Sequence, residues 1–265
     1  MSRVSAALAV RSGDGTAAYL ERCRDRYLRP VLLPDNGGIA GYNAGFEQAR
    51  GDHILVLDDD SHPRDGATLA RLIERLDRDP GLGVLACRIE DSTGRRVWSW
   101  HLPRADHPGP SMAFVGCGFA IRRELFRAIG WYPAEFFLYQ NEIEVALRVR
   151  LAGYAIGYAP DCRVVHRTAS AGRPGWRRVY YPTRNTLWLL RRYAPYPQAL
   201  YWLGSRLLLG LGRAAQFGEW RAWARAVCEG LGTPVQRRPL PPALYREFAP
   251  FWRQNSLWRQ LLGRT

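Results

Sequence analysis

The chain has 265 residues, of which 47% are hydrophobic and 23% charged, a balance that predicts a folded core and excludes collagen-like or wholly disordered chains. Every basic residue other than histidine is an arginine, and 38 arginines against 24 acidic residues give a formal net charge of +14. The five cysteines include no C-x-x-C pair, which argues against a zinc cluster or a disulfide framework and favours a reducing, cytoplasmic setting.

The first half of the chain alternates apolar runs with stretches of helical periodicity, the pattern of an α/β domain. We expect strands over residues 4–10, 31–33, 53–57, 83–89 and 155–165. The helices expected between them cover residues 17–27, with Thr16 as N-cap, then 65–79, 123–129 and 142–152. Beyond about Pro174 the pattern changes to helices rich in Arg, Trp and Leu, so we predict one domain over residues 1–173 and a second region over 174–265.

Three consecutive carboxylates directly follow the apolar strand over residues 53–57. Period-2 alternation would send Asp58 and Asp60 to the same side of the strand's C-terminal mouth. Paired carboxylates there suit a divalent cation that bridges to phosphate oxygens. The triplet could equally be a solvated acidic turn that caps the next helix, so from the residues alone both interpretations stay open.

Further candidates follow later in the chain. Glu142 and Glu144 begin a helix but diverge by about 200°, so they would do different jobs. For Glu144, interaction with the helix dipole is the simpler interpretation. His166 ends a predicted strand, where a lone histidine is more often packed than ligating, although neutral imidazole suits Mn²⁺ beside carboxylates.

The basic surplus lies entirely in the C-terminal part of the chain. Residues 162–265 hold 18 arginines and three acidic residues, together with seven of the ten tryptophans. Arginine interleaved with Trp and Leu suits an anionic membrane surface, although ordinary domain packing is nearly as plausible. Nucleic acid is disfavoured as a partner, since no zinc, helix-turn-helix or aromatic RNA-binding motif occurs. The longest uncharged stretch of helical character, residues 193–205, is too short to span a bilayer.

Taken in order, these motifs resemble family 2 glycosyltransferases, especially the rhamnosyltransferase-like branch. The segment Asn36-Gly-Gly-Ile-Ala-Gly-Tyr-Asn-Ala-Gly45 is similar to the family's N-x-G-x-x-G-x-N-x-G run, and Gly51 to Asp60 is similar to its G-D-strand-DDD segment. Further matches are Gly118-Phe-Ala-Ile-Arg-Arg123, the helix that opens with Asn141-Glu-Ile-Glu144, the pair Val165-His166 and the pair Arg184-Asn185. The resemblance covers about residues 10–195 and begins at the family's second strand, so the first nucleotide-binding strand is expected to be missing. The segment Val10-Arg11-Ser12-Gly13 stands where the family has an acidic V-D-N-G motif, so an arginine replaces the aspartate.

The resemblance implies a GT-A-like three-layer α/β/α fold with a mixed central sheet, followed by a helical C-terminal appendage. It also implies a metal held by Asp58, Asp60 and His166. Contacts to the nucleotide sugar would come from six residues, namely Asn36, Gly37, Gly41, Asn43, Asp58 and Asp59.

Glu142 becomes the candidate general base, because it falls on the second position of the family's E-D pair. It would deprotonate an acceptor hydroxyl in an inverting transfer, which requires a raised pKa. We expect the aromatic run at Phe136, Phe137 and Tyr139 to provide this by desolvation.

The expected function is therefore a metal-dependent glycosyltransferase that uses a nucleotide-sugar donor, with dTDP-rhamnose or a UDP-hexose as candidates, and Mg²⁺ or Mn²⁺. The acceptor implied by the resemblance is a surface polysaccharide or lipid-linked glycan, which would place the protein on the inner face of the plasma membrane as a peripheral, cytoplasmic enzyme. A catalytically inactive glycosyltransferase-like scaffold bound to the membrane is the alternative.

Overall fold

The computed structural model describes residues 6–10, 15–23, 25–167 and 174–254. The chain divides into two units, Met1–Phe137 with Asn141–Thr168, and Leu138–Gln140 with Ala169–Thr265. Arg11 to Gly13, the segment expected to depart from the family's nucleotide motif, lies outside the described residues.

The first unit is built on two sheets. Its strands are β1 (Ala6–Val10), β2 (Leu28–Leu32), β3 (His53–Val56), β4 (Ser61–Pro63), β5 (Leu82–Glu90), β6 (Gly109–Pro110), β7 (Phe119–Arg122) and β8 (Ala155–His166). β1 and β2 pair in parallel as a separate sheet. The other six follow the order β3-β7-β5-β8-β4, with β6 also on β8. Among the described strands, β1 and β2 pair only with each other.

The larger sheet is mixed. β5 and β8 run parallel, whereas β7 is antiparallel to both β3 and β5, and β4 is antiparallel to β8. β5 is almost entirely buried, as expected of a strand covered on both faces. The mixed sheet and its helices confirm the predicted α/β class.

The helices of the first unit follow the predicted order. They are α1 (Thr16–Arg22), α2 (Ala40–Gln48), α3 (Gly66–Arg78), α4 (Arg123–Ala128) and α5 (Asn141–Leu151). Gly15, not Thr16, is the N-cap of α1, so that prediction is wrong. α3 is capped by Asp65, whose side chain accepts a hydrogen bond from Thr68 N at 2.7 Å. The interpretation of the acidic triplet as the cap of this helix is therefore wrong too.

The second unit contains the helices α6 (Gly175–Tyr193), α7 (Gln198–Phe217), α8 (Trp220–Gly232) and α9 (Pro242–Gln254). Asn185 lies fully buried on α6 and donates from its amide to the carbonyls of Leu138 and Tyr139 at 2.8 and 2.9 Å. The guanidinium of its neighbour Arg184 packs over the Trp188 ring. Both landmarks of the family resemblance in this region therefore have internal packing roles.

Candidate active site

The acidic triplet lies in a tight bend between β3 and β4. Ser61 closes the bend, because its hydroxyl accepts from Asp58 N at 2.8 Å and donates to the Asp58 carbonyl at 3.0 Å. β3 already ends at Val56, so strand alternation does not orient the triplet as predicted. The bend orients it instead, and the Asp59 side chain faces solvent.

The register of β4 against β8 brings the triplet to His166. Ser61 pairs opposite His166, and the carbonyl of Asp60 accepts from Arg167 N at 2.8 Å. As a result Asp60 Oδ1 lies 3.0 Å from His166 Nε2. Two residues more than a hundred positions apart in sequence thus meet at one sheet edge.

Cys117 joins this group, which the sequence did not indicate. One donor atom each from Asp58, Cys117 and His166 lie within 4.8 Å of one another. Cys117 lies in the turn that leads into β7 and is only 3% exposed. Carboxylate, imidazole and thiol are all metal ligands, and Asp60 Oδ1 is a buried oxygen that makes no hydrogen bond. These residues therefore fit a divalent cation.

Tyr42 fixes Asp58 from the other side. Its hydroxyl donates to Asp58 Oδ1 at 2.7 Å. Burial raises the pKa of Asp58, and this hydrogen bond lowers it. Burial, together with Asp58, holds the pKa of the Tyr42 hydroxyl well above its usual range, so the hydroxyl stays a donor. Tyr42 lies inside the quoted glycine-rich run, but that run gave no sign of its role.

Glu142 occupies the first turn of α5, half-buried against the turn that carries Cys117. The pKa of its carboxyl is raised to about 7, chiefly by burial and also by the Asp58 charge, while hydrogen bonds from the backbones of Glu142 and Gly116 and from the Asn141 side chain act to lower it. A Cβ built on Gly116 would lie 2.6 Å from Glu142 Oε1. Only a glycine at position 116 leaves room for this carboxylate.

Glu144 does a different job, as its position predicted. It is fully buried, and Arg148 donates to its Oε1 from Nε at 3.0 Å and from Nη2 at 2.8 Å. This pair stabilises α5 through an i, i+4 contact. Glu144 is thus a structural residue, although its partner is Arg148 rather than the helix dipole alone.

The glycine-rich run packs on the aromatic run that precedes α5. Gly38 has a φ of +58°, and a Cβ there would lie 2.2 Å from the Phe137 carbonyl oxygen. That oxygen accepts from Ile39 N at 2.7 Å. The Phe137 backbone thus holds the loop at Gly38, and the predicted desolvation of Glu142 by the aromatic run stays a prediction. The groups that interact electrostatically with Glu142 include Asp58, Tyr42, Tyr132 and Cys117.

The remaining predicted donor-site residues lie in and around α2. Asn36 Oδ1 accepts from Gly38 N at 3.0 Å and shapes the loop before the helix. Both amide atoms of Asn43 contact the backbone of Tyr132. Gly37 has ordinary contacts only, whereas Gly41 lies close to the Leu33 side chain. Their predicted contacts with a nucleotide stay predictions.

The loop that leads into α5 carries backbone strain. Phe137, Tyr139 and Gln140 all have φ between 61° and 66°, a region that costs non-glycine residues about 1–3 kcal/mol each and that clusters at functional sites. The strained residues directly precede Asn141 and Glu142. The strain indicates that contacts with the surrounding structure, and not helix propensity alone, fix the start of α5.

Comparison with solved structures defines the class of protein. GalNAc-T7 in complex with UDP, GalNAc and Mn²⁺ matches with a TM-score of 0.63 at 14% identity, over 95% of this chain and 51% of that one. The Pyrobaculum calidifontis mannosyltransferase PcManGT, with GDP-Man and Mn²⁺, matches at 0.56 and 18% identity, over 97% and 73%. Residues 1–349 of S. aureus TarS with UDP-GlcNAc match at 0.54 and 18% identity, over 83% and 69%. These likenesses show a GT-A glycosyltransferase fold, and this chain spans about half the length of GalNAc-T7.

The family follows from the sequence itself. The model of glycosyl transferase family 2 matches residues 11–144, half of the chain. The chain therefore belongs to glycosyl transferase family 2, which confirms the resemblance. Comparison with curated proteins returns no match.

Proposed function

We propose that this chain is a metal-dependent, inverting glycosyltransferase that moves a sugar from a nucleotide sugar to a glycan acceptor. One observation carries the proposal: a carboxylate with a pKa of about 7 stands beside a converging Asp, His and Cys group. A base poised near neutrality and a cation site are the two requirements of such a transfer. The similar structures that hold UDP, GDP-Man or UDP-GlcNAc support a nucleotide-sugar donor.

Glu142 is the proposed general base. Its carboxylate takes the proton of an acceptor hydroxyl while the hydroxyl oxygen bonds to the anomeric carbon and the bond to the diphosphate breaks, which inverts the configuration. A positioned base of this kind contributes about 10²- to 10⁴-fold. Gly116 leaves the space in which the carboxylate lies, and Tyr132 and Cys117 help to exclude water from it.

Asp58, Asp60 and His166 are the proposed metal ligands, and Asp59, Asn36, Gly37, Gly41 and Asn43 the proposed donor-site residues. Bound Mg²⁺ or Mn²⁺ would offset negative charge on the leaving diphosphate, an effect worth several kcal/mol. Tyr42 holds Asp58 in place through its hydrogen bond, and Ser61 holds the bend. The solvent-facing Asp59 is free to contact the nucleotide or sugar.

The test is calorimetric titration of the full chain with UDP and dTDP, with and without Mn²⁺, followed by assay of the release of dTDP from dTDP-rhamnose and of UDP from UDP-hexoses. Glu142→Gln should keep metal-dependent nucleotide binding and lose about 10²- to 10⁴-fold in turnover. Glu74→Gln, an exposed carboxylate change on α3, should alter neither. Retained turnover in Glu142→Gln would show that Glu142 is not the general base. Absence of nucleotide binding by folded protein would favour an inactive scaffold.

We further propose a lipid-linked or surface-polysaccharide acceptor, reached from the membrane surface. Among the described helices, none is both long and apolar enough to cross a bilayer. The support comes from α7, where Leu200, Leu208 and Leu211 are exposed at helical spacing on one face. Gly204 and Ala215 are also exposed on this face. An uncharged stripe in a strongly basic unit suits anionic lipid.

A further inference from the structure

Cys117 belongs to the converging group, but the proposed transfer gives its sulfur no part in metal binding. It is one of three cysteines buried in the first unit, together with Cys87 and Cys162. A buried free cysteine commonly behaves as a small apolar side chain. Cys117 differs, because its sulfur converges with a carboxylate oxygen of Asp58 and a ring nitrogen of His166 within 4.8 Å.

Three carboxylates act on this buried thiol. Burial first, and then the charges of Asp58, Glu142 and Asp60, hold its pKa above the usual range. Asp60 Oδ1 lies 3.0 Å from His166 Nε2, beside the group that Asp58, Cys117 and His166 form. Carboxylate, imidazole and thiol atoms that converge in this way are arranged as ligands around one cation would be.

The backbone fixes the sulfur in this position. Gly118 N donates to the Val115 carbonyl at 3.1 Å, which closes the turn around Cys117. The Gly118 carbonyl in turn accepts from Cys87 N on β5 at 3.0 Å, so the turn is tied to the centre of the sheet. The thiol is thus held by the sheet and not by a mobile loop.

We propose that Cys117 is a metal ligand, and that through its sulfur the centre binds borderline divalent cations such as Zn²⁺ and Co²⁺. The inference rests on the proposed function, since it concerns the same centre. Thiolate and imidazole select Zn²⁺ and Co²⁺, whereas Mg²⁺ prefers oxygen ligands. On binding, the metal–sulfur bond replaces the S–H bond, and the proton passes to solvent. In this proposal the centre binds a cation in one of two ways. The ligands are either oxygen and nitrogen atoms alone, or these atoms together with the Cys117 sulfur.

The test uses the full chain with metal alone. Co²⁺ is titrated while the near-ultraviolet absorption is recorded, because a cobalt–thiolate bond gives a charge-transfer band there. The variants are Cys117→Ser and Cys117→Ala, and Cys87→Ala is the matched control, a buried cysteine on the adjacent strand whose sulfur is not in the donor group found among the described residues. Affinities for Zn²⁺ and Mg²⁺ are measured by calorimetry on the same proteins.

We expect the band in the unaltered chain and in Cys87→Ala, and its loss in both Cys117 variants. Zn²⁺ affinity should fall at least about tenfold in these variants, while Mg²⁺ affinity stays unchanged. Loss of a residue that only supports a metal ligand already lowers affinity about tenfold or more, so loss of a ligand should cost at least as much. Co²⁺ binding without the band, or an equal loss of Zn²⁺ and Mg²⁺ affinity, would overturn the role of Cys117 and leave the proposed transferase intact. If neither Co²⁺ nor Mn²⁺ binds the folded chain, the metal centre of the proposed function fails as well.

Discussion

Single residues decide the chemistry of the proposed site, and Glu142 is one of them. The position of its carboxyl group lowers the stability of the folded chain once that group is ionised. Its carboxyl has a pKa of about 7 in the folded chain, against an ordinary value of 4.5. The folded state therefore holds the proton more tightly than the unfolded state does. The stabilisation that this provides is complete below pH 4.5 and is lost as the pH rises through 7.

This loss of stability with rising pH leads to a prediction for Glu142→Gln, because glutamine cannot ionise. At pH 8 the variant should be more stable than the unaltered chain, by up to about 3 kcal/mol, and the gap should close towards pH 4.5. Urea unfolding at several pH values measures it. Glu74→Gln on the surface of α3 is the control and should show no such trend, and a gap that does not change with pH would contradict the burial of Glu142.

Gly116 is the second residue whose effect can be isolated. Alanine there would place a Cβ 2.6 Å from Glu142 Oε1, and since that oxygen ends a flexible side chain, the carboxylate moves and the fold remains. We expect turnover to fall about 10²-fold, the scale of a 1 Å misplacement, with little change in melting temperature. Gly66→Ala is the matched control, because nothing lies within 4 Å of its new Cβ. Normal turnover in Gly116→Ala would show that this position of Glu142 is not required.

At the scale of elements, the sequence predicts the regular parts well and the connections poorly. The strand expected over residues 83–89 is β5 (Leu82–Glu90) and the helix over 142–152 is α5, because long apolar periodicity survives tertiary packing. β4 is missed, since three residues that include a proline carry no strand pattern. The pairing of β4 with β8 that sets the register for Asp60 is a long-range contact, which local patterns do not encode.

The same limit explains which candidate residues the sequence could indicate. Asp58, Asp60, Glu142 and His166 were predicted from the spacing of a family pattern, and their roles stay predictions. Cys117 and Tyr42 gave no local signal, because their roles depend on partners far away in sequence. The one sequence signal that could have indicated Cys117 is its place just before a strand, at the sheet edge that also carries the acidic triplet.

The glycine-rich run offers a prediction at this scale. Gly38→Ala should destabilise the chain by about 2–3 kcal/mol, because both its positive φ and the Phe137 carbonyl oppose a Cβ. Gly41→Ala should cost less than about 1 kcal/mol, since the atom it meets is the rotatable end of Leu33. Urea unfolding of the two variants side by side measures the difference. Equal costs would mean that the contact of Gly38 with Phe137 does not hold the loop.

For the whole molecule, charge and apolar surface are divided between the two units. The arginine surplus of residues 162–265 accompanies the exposed leucines of α7. Attraction of this kind to an anionic surface weakens with salt, whereas apolar insertion does not. Both features support the proposal that this region meets an anionic membrane surface.

The corresponding prediction concerns binding to vesicles. The full chain should co-sediment with vesicles that contain phosphatidylglycerol, less so as NaCl is raised. Leu208→Ser with Leu211→Ser should weaken this at least about tenfold, by loss of buried apolar area. Trp98→Ser, an equally exposed apolar change in the first unit, should not. Equal binding to neutral vesicles, or no effect of the leucine changes, would contradict the role of α7.

The order of the strands also determines when the site can form during synthesis. β8 lies between β5 and β4 in the sheet but is the last of these strands along the chain. As the chain leaves the ribosome from its N-terminus, β4 must wait for β8, and Asp60 cannot meet His166 until residue 166 has emerged. The cation site therefore appears late in translation, after most of its own sheet has been made.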